Sequence, residues 1–163
     1  MSKFWSSVVS GLKPYTPGEQ PKVPGLIKLN TNEHCLQPSR HAMAVLNAMT
    51  PEALRRYPDP ECTALRSAIA RCEGLSVAQV FVGNGSDEVL AHIFQGLLSS
   101  SESLVTLDIT YSFYPVWAAL YGLQLKTESL HDDFSIDVNR LSAQKDSILI
   151  ANPNAPTGRA LAL

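Results

Sequence analysis

No stretch of this sequence stays apolar for the roughly 20 residues that a bilayer-spanning helix needs. Its opening residues, Met1-Ser2-Lys3-Phe4-Trp5-Ser6-Ser7-Val8-Val9, lack the apolar core and small-residue cleavage site of a secretory leader. Cysteine is scarce. Cys35, Cys62 and Cys72 are scattered with no C-x-x-C pair, which argues against a disulfide framework and a zinc site and makes a reducing cytoplasm the expected setting. An excess of one charge is missing too: a net charge of −2, with no basic cluster longer than Arg55-Arg56, gives nucleic acid or an anionic membrane nothing to hold. The sequence carries no internal repeat or low-complexity tract. What is present, 163 residues with 45% hydrophobic and 17% charged side chains, suffices for one domain with a sizeable core.

The most informative stretch is Val80-Phe81-Val82-Gly83-Asn84-Gly85-Ser86-Asp87-Glu88. It reads as a short buried strand, a glycine turn and the start of a helix, with Val89, Ile93, Phe94 and Leu97 continuing an apolar stripe at helical spacing. The first N–H groups of such a helix have no partner within it, and the positive end of the helix dipole stands behind them, so the turn can take a phosphate or carboxylate. Gly83 and Gly85 allow positive φ and close approach of an anion, and Ser86 can cap the helix or donate its hydroxyl. Two other phosphate motifs are excluded: the turn has no lysine for a Walker A loop, and Glu88 stands where a dinucleotide fingerprint needs glycine. Alone, the stretch is equally well read as a capped helix start.

Along the chain, residues 4–12 suggest a short helix, and Lys13 to Gly25, with four prolines, an extended arm able to lie across a partner subunit. Leu26–Leu29 is a strand candidate. Ser39 caps a helix whose core-facing stripe would be Ala42, Val45, Leu46 and Met49. A second helix runs from about Glu61 to Glu73, with Leu65, Ile69 and Cys72 inward and Gly74 as its stop. Strands are expected from Gln79 to Val82, Leu104 to Leu107, Gln124 to Thr127 and Ser147 to Ala151, and helices after Ser86, from Pro115 to Gly122 and from Asp137 to Ala143. This alternation predicts an α/β fold with a mostly parallel sheet. In such a sheet the loops at the strand carboxyl ends form the ligand crevice. Here those are Gly83–Asp87, Asp108–Tyr114 and Asn152–Gly158: a main-chain anion hole, a stacking platform and amide side chains, which together suit a flat aromatic ligand carrying a phosphate.

Six motifs then fall into one order: Tyr15-Thr16-Pro17-Gly18-Glu19, Lys28-Leu29-Asn30-Thr31-Asn32-Glu33, Arg56-Tyr57-Pro58-Asp59, Gly83-Asn84-Gly85-Ser86-Asp87-Glu88, Thr110-Tyr111-Ser112-Phe113-Tyr114 and Asn152-Pro153-Asn154-Ala155-Pro156-Thr157-Gly158. In this order, and over nearly the whole chain, the sequence resembles the histidinol-phosphate aminotransferases, fold-type I enzymes dependent on pyridoxal phosphate. The resemblance implies that Gly85, Ser86 and Asp87 cradle the cofactor phosphate and that Tyr111 stacks on the pyridine ring. It also implies that Tyr57 reaches the phosphate from a second subunit, making a homodimer, and that Tyr15 and Asn32 lie near the substrate. The chain departs from the family pattern at His34, Cys35 and Gln37, at Ile109 in place of a proline, and at Ala155 in place of the asparagine that bonds the ring hydroxyl. Asn154 is the nearest substitute for that asparagine.

The chemistry of the family also needs a Schiff-base lysine and an acidic partner for the pyridinium nitrogen. None of Lys3, Lys13, Lys22, Lys28, Lys126 and Lys145 has a matching context. The resemblance therefore implies the N-terminal portion of an enzyme, inactive alone, with residues 1–38 as an arm and small-domain segment and residues 39–163 as an incomplete cofactor-binding large domain. The implied reaction transfers an amino group from histidinol phosphate, or a related small amino compound, to the 2-oxo acid 2-oxoglutarate. The alternatives are a non-catalytic domain that binds phosphate compounds or a partner chain, and a related decarboxylase or other aminotransferase.

Overall fold

The computed structural model describes residues 3–13, 18, 19, 21–98 and 103–162. In chain order the elements are α1 (Ser7–Gly11), α2 (Arg40–Asn47), α3 (Pro51–Leu54), α4 (Thr63–Glu73), a 3₁₀ turn (Val77–Gln79), α5 (Ser86–Gly96), β1 (Ser103–Leu107), α6 (Tyr114–Tyr121), β2 (Gln124–Glu128), α7 (Val138–Ser142) and β3 (Ser147–Ile148). The described residues divide into two compact units, one within Met1–Tyr15 and Gly83–Leu163 and the other within Thr16–Val82.

Local chemistry accounts for most helix ends. The Ser39 hydroxyl accepts the Ala42 N–H at the start of α2, and Asp137 accepts from the Arg140 N–H at the start of α7. Gly74 and Gly122 close α4 and α6 in the left-handed conformation, which glycine enters without steric cost.

In the first unit, β1 is the middle strand of three, in the order β2-β1-β3, and both of its ladders are parallel. Leu104 and Val105 of β1 point into different clusters, as alternation along a strand requires. Leu104 packs with Phe94 of α5, Ala118 of α6 and Leu123, while Val105 and Leu107 pack with Leu141 of α7. A strand buried on both faces under helices is the signature of a parallel α/β layer. Thr106 is buried as well, and its hydroxyl donates to the Leu149 carbonyl at 2.8 Å.

Five expectations are corrected. Leu26–Leu29 forms no strand: the chain turns there, with Leu26 N–H on Val23 O and Gly25 at φ 76°, and leaves Ile27 and Leu29 exposed. Residues 80–82 pair with no strand among the described residues, and the Arg66 side chain takes the Val80 carbonyl at 2.8 Å. In α2 the apolar stripe faces outward: Val45 is 65% and Leu46 61% exposed. In α4 it is Ala70, not Leu65 or Cys72, that is buried. The last strand is also shorter than expected, although Leu149 N–H still reaches Val105 O at 2.9 Å. No described helix is long and apolar enough to cross a membrane.

Two measurements test this account. Phe94 is 1% exposed at the centre of its cluster, so Phe94→Ala should cost about 3–5 kcal/mol in urea unfolding. At the head of α4, the Thr63 N–H and hydroxyl and the Glu61 N–H hold the Asp59 carboxyl below its ordinary value. A carboxyl depressed in the folded state stabilises above the ordinary carboxylate range, and that support is lost as pH falls through the depressed value. Wild-type protein should therefore lose more helical stability on acidification, followed by far-UV circular dichroism, than Asp59→Asn.

Candidate active site

Three segments of the first unit carry the candidate site: the turn into α5, the loop after β1 and the turn after β3. The turn into α5 is shaped by glycine. Gly85 has φ 83° and open space where a Cβ would stand, whereas a Cβ on Gly83 would come within 3.0 Å of both Glu88 Oε2 and the Val89 side chain. The first main-chain bond of the helix runs from Val89 N–H to Gly85 O at 3.4 Å, so the N–H groups of Ser86, Asp87 and Glu88 precede the i→i−4 ladder. Asp87 and Glu88 put negative charge in that first turn, and the Glu88 carboxylate folds back to accept the Asn84 N–H. The turn thus already receives an anionic oxygen on its main chain.

Tyr111 comes to this turn from the loop after β1. Its phenol donates to Asp87 Oδ1 at 3.0 Å, across 24 residues of sequence. Its ring meets that of Tyr114 edge-on, with centroids 5.4 Å apart and planes at 84°, a favourable geometry for aromatic pairs. Tyr114 itself is buried at the start of α6, and that burial raises its phenol above the ordinary tyrosine range. Beside Tyr111 a pocket of about 390 Å³ opens, lined in part by Thr106, Asp108, Thr110, Leu125 and Pro156. It lies where the β1 and β2 chains leave the sheet at their carboxyl ends.

Asn154 sits inside the third segment at 1% exposure. Its Nδ2 donates to Ile109 O at 2.8 Å and to Thr157 Oγ1 at 3.1 Å, and its Oδ1 accepts the Thr110 hydroxyl at 2.7 Å. Its main-chain N–H and carbonyl pair with Arg159 O and Gly158 N–H, both at 2.7 Å. Both amide hydrogens are therefore committed within the chain, and Asn154 ties the backbone just before Tyr111 to the Asn152–Gly158 turn. The peptide bonds before Pro153 and Pro156 are both cis.

Of the residues singled out in the sequence, Gly85, Ser86, Asp87, Tyr111 and Asn154 belong to this unit, and Asp87 and Tyr111 are in direct contact. Tyr57 and Asn32 belong to the other unit; Tyr57 is fully exposed, and Asn32 is held at φ 53°. Tyr15 lies outside the described residues. Sequence reasoning missed the side-chain partnership of Asp87, the inward fold of Glu88 and the role of Thr110. The acidic pair after a glycine turn signals helix capping, but nothing local to residue 87 points to a phenol so far along the chain.

The model of the aminotransferase class I and II family matches residues 24–163. The chain belongs to this family. It is 52% identical over its whole length to histidinol-phosphate aminotransferase 2 of Dechloromonas aromatica, covering 47% of that protein. With the histidinol-phosphate aminotransferase of Acinetobacter baumannii strain SDF it shares 49% identity, over 99% of this chain and 45% of that protein. The chain spans about half the length of the curated relatives it matches. Among solved structures, the histidinol-phosphate aminotransferase of Sinorhizobium meliloti in complex with pyridoxal-5'-phosphate aligns with a TM-score of 0.62 at 26% identity, over 73% of this chain and 33% of that one. A protein from Erwinia carotovora atroseptica at 24% identity shares the fold, with a TM-score of 0.71 over 81% of this chain and 40% of that one.

Replacing Asn154 by alanine would strip partners from the Thr110 hydroxyl and the Ile109 carbonyl at a buried position. The expected cost is about 1–3 kcal/mol, read as a lower urea midpoint.

Proposed function

We propose that this chain is the N-terminal, phosphate-gripping portion of a pyridoxal-phosphate-dependent enzyme that transfers an amino group from histidinol phosphate to 2-oxoglutarate in histidine biosynthesis. The observation that carries the reading is 52% identity over the entire chain to a protein of that name. The geometry supports it: a glycine turn with its first-turn N–H groups outside the helical ladder stands beside an aromatic ring from the neighbouring loop.

The residues present fit such a cofactor. The main chain of Gly85, Ser86 and Asp87 offers donors to a phosphate at the positive end of α5, with the open side of Gly85 leaving room for it. The Tyr111 ring offers a face to a flat heteroaromatic ring, and Asn154 secures the backbone from which Tyr111 springs. When bound, pyridoxal phosphate supplies the electron sink that amino-group transfer needs. Tyr57 would reach the phosphate from a second copy of the chain, making the working form a homodimer, while Tyr15 and Asn32 orient the amino substrate. In this reading the chain divides into residues 1–38, an arm and small-domain segment, and residues 39–163, an incomplete cofactor-binding large domain. The setting is cytoplasmic.

The lysine that holds the cofactor and the acidic partner of its ring nitrogen lie outside these 163 residues in this reading. Protein expressed from the whole reading frame should form glutamate from histidinol phosphate and 2-oxoglutarate, and the 163-residue chain should form none. Absence of glutamate in the first case, or turnover in the second, would overturn the proposal.

A further inference from the structure

We infer that the Asp87 side chain is a positioning residue for Tyr111, acting separately from the phosphate contacts that the Asp87 main chain makes. The inference rests on the cofactor reading above and extends it. Asp87 is the second residue of α5, and its main-chain N–H belongs to the open first turn, yet its carboxylate is directed sideways onto the phenol of Tyr111 at 3.0 Å. Three constraints then converge on one ring. Asp87 holds its tip, the buried Tyr114 ring abuts it edge-on, and Asn154 grips the carbonyl and hydroxyl of the two residues preceding it.

A side chain with two soft torsions, fixed at root, flank and tip, meets a ligand without losing further rotational freedom. The same bond couples two loops that the sheet alone does not join. It ties the height of the Tyr111 ring to the turn that holds the phosphate, so the distance between a ligand's phosphate and its aromatic ring is matched before binding. Removing the carboxylate leaves the main-chain donors of the turn in place. The stacking contribution should therefore fall while the phosphate contribution stays.

The test uses protein from the whole reading frame, titrated with pyridoxal phosphate and, separately, with inorganic phosphate. Pyridoxal phosphate binding is followed by the visible absorption and induced circular dichroism of the bound cofactor, and inorganic phosphate binding by titration calorimetry. Asp87→Ala and Tyr111→Phe should each weaken pyridoxal phosphate binding roughly three- to tenfold and reduce the induced dichroism per bound molecule, while neither weakens inorganic phosphate binding, which loss of the Asp87 charge should if anything strengthen. Because the two side chains act through one bond, the double variant should bind no more weakly than the weaker single variant. Asp87→Asn, which keeps an acceptor oxygen, should retain most of the dichroism. Should Asp87→Ala fail to fold, Asp87→Ser, whose side chain is shorter, takes its place in the same cycle.

Losses that multiply in the double variant, or unchanged dichroism in Asp87→Ala, would overturn the inference while leaving the functional reading intact. Wild-type protein with no cofactor band would overturn the functional reading and this inference with it.

Discussion

One buried amide holds the candidate site together. Burying the side chain of Asn154 away from water would cost several kcal/mol were its polar atoms left without partners, so the loops around it must supply them. Ile109 and Thr110 meet that demand from the loop after β1, and Thr157 meets it from the turn after β3. Any rearrangement that pulled these loops apart would leave a donor or acceptor stranded in the interior. The loop that carries Tyr111 is thus defined by hydrogen-bond geometry, not by the shape of an apolar surface.

The sheet beneath follows a complementary logic. β1 has both faces covered, by α5 and α6 on one side and α7 on the other, and even its threonine is buried with its hydroxyl on the Leu149 carbonyl. A strand so enclosed fixes where its carboxyl end emerges, and in open parallel sheets that end is where ligands bind. The Asp108 carboxylate accepts the Leu130 N–H and so joins the loop after β1 to the chain leaving β2. Sheet, buried amide and glycine turn thus act in series: the first places the loops, the second joins two of them, and the third presents main-chain donors beside them.

How much of this was legible depended on the range of the interactions concerned. Helices announced by Ser39, Asp137, Gly74 and Gly122 were readable because a cap or a left-handed stop involves residues within one turn of each other. The alternation from α5 to β3 was readable for the same reason, since periodicity is local. The short apolar runs at 26–29 and 80–82 misled because a strand exists only when another strand supplies its bonds; at Val80 an arginine side chain supplies one instead. In α2 the stripe had the right spacing, but spacing cannot say what will cover it. The family motifs brought Asp87, Tyr111 and Asn154 onto the page as separate ligands. The Asp87–Tyr111 bond spans 24 residues, and Asn154 reaches Ile109 and Thr110 across 45 and 44, so only the folded chain shows that Asp87 and Asn154 bond to Tyr111 and to the two residues before it.

The outward stripe of α2 bears on how the chain behaves in bulk solution. Val45, Leu46 and Met49 meet water over much of their surface, and a net charge of −2 provides little long-range repulsion to keep neighbouring molecules apart. Mildly acidic buffer, near the isoelectric point of about 6.1, removes even that. Colloidal attraction is then at its strongest, and concentrated stocks will stay clearest in alkaline, low-salt media, where unscreened negative charge keeps the molecules at a distance.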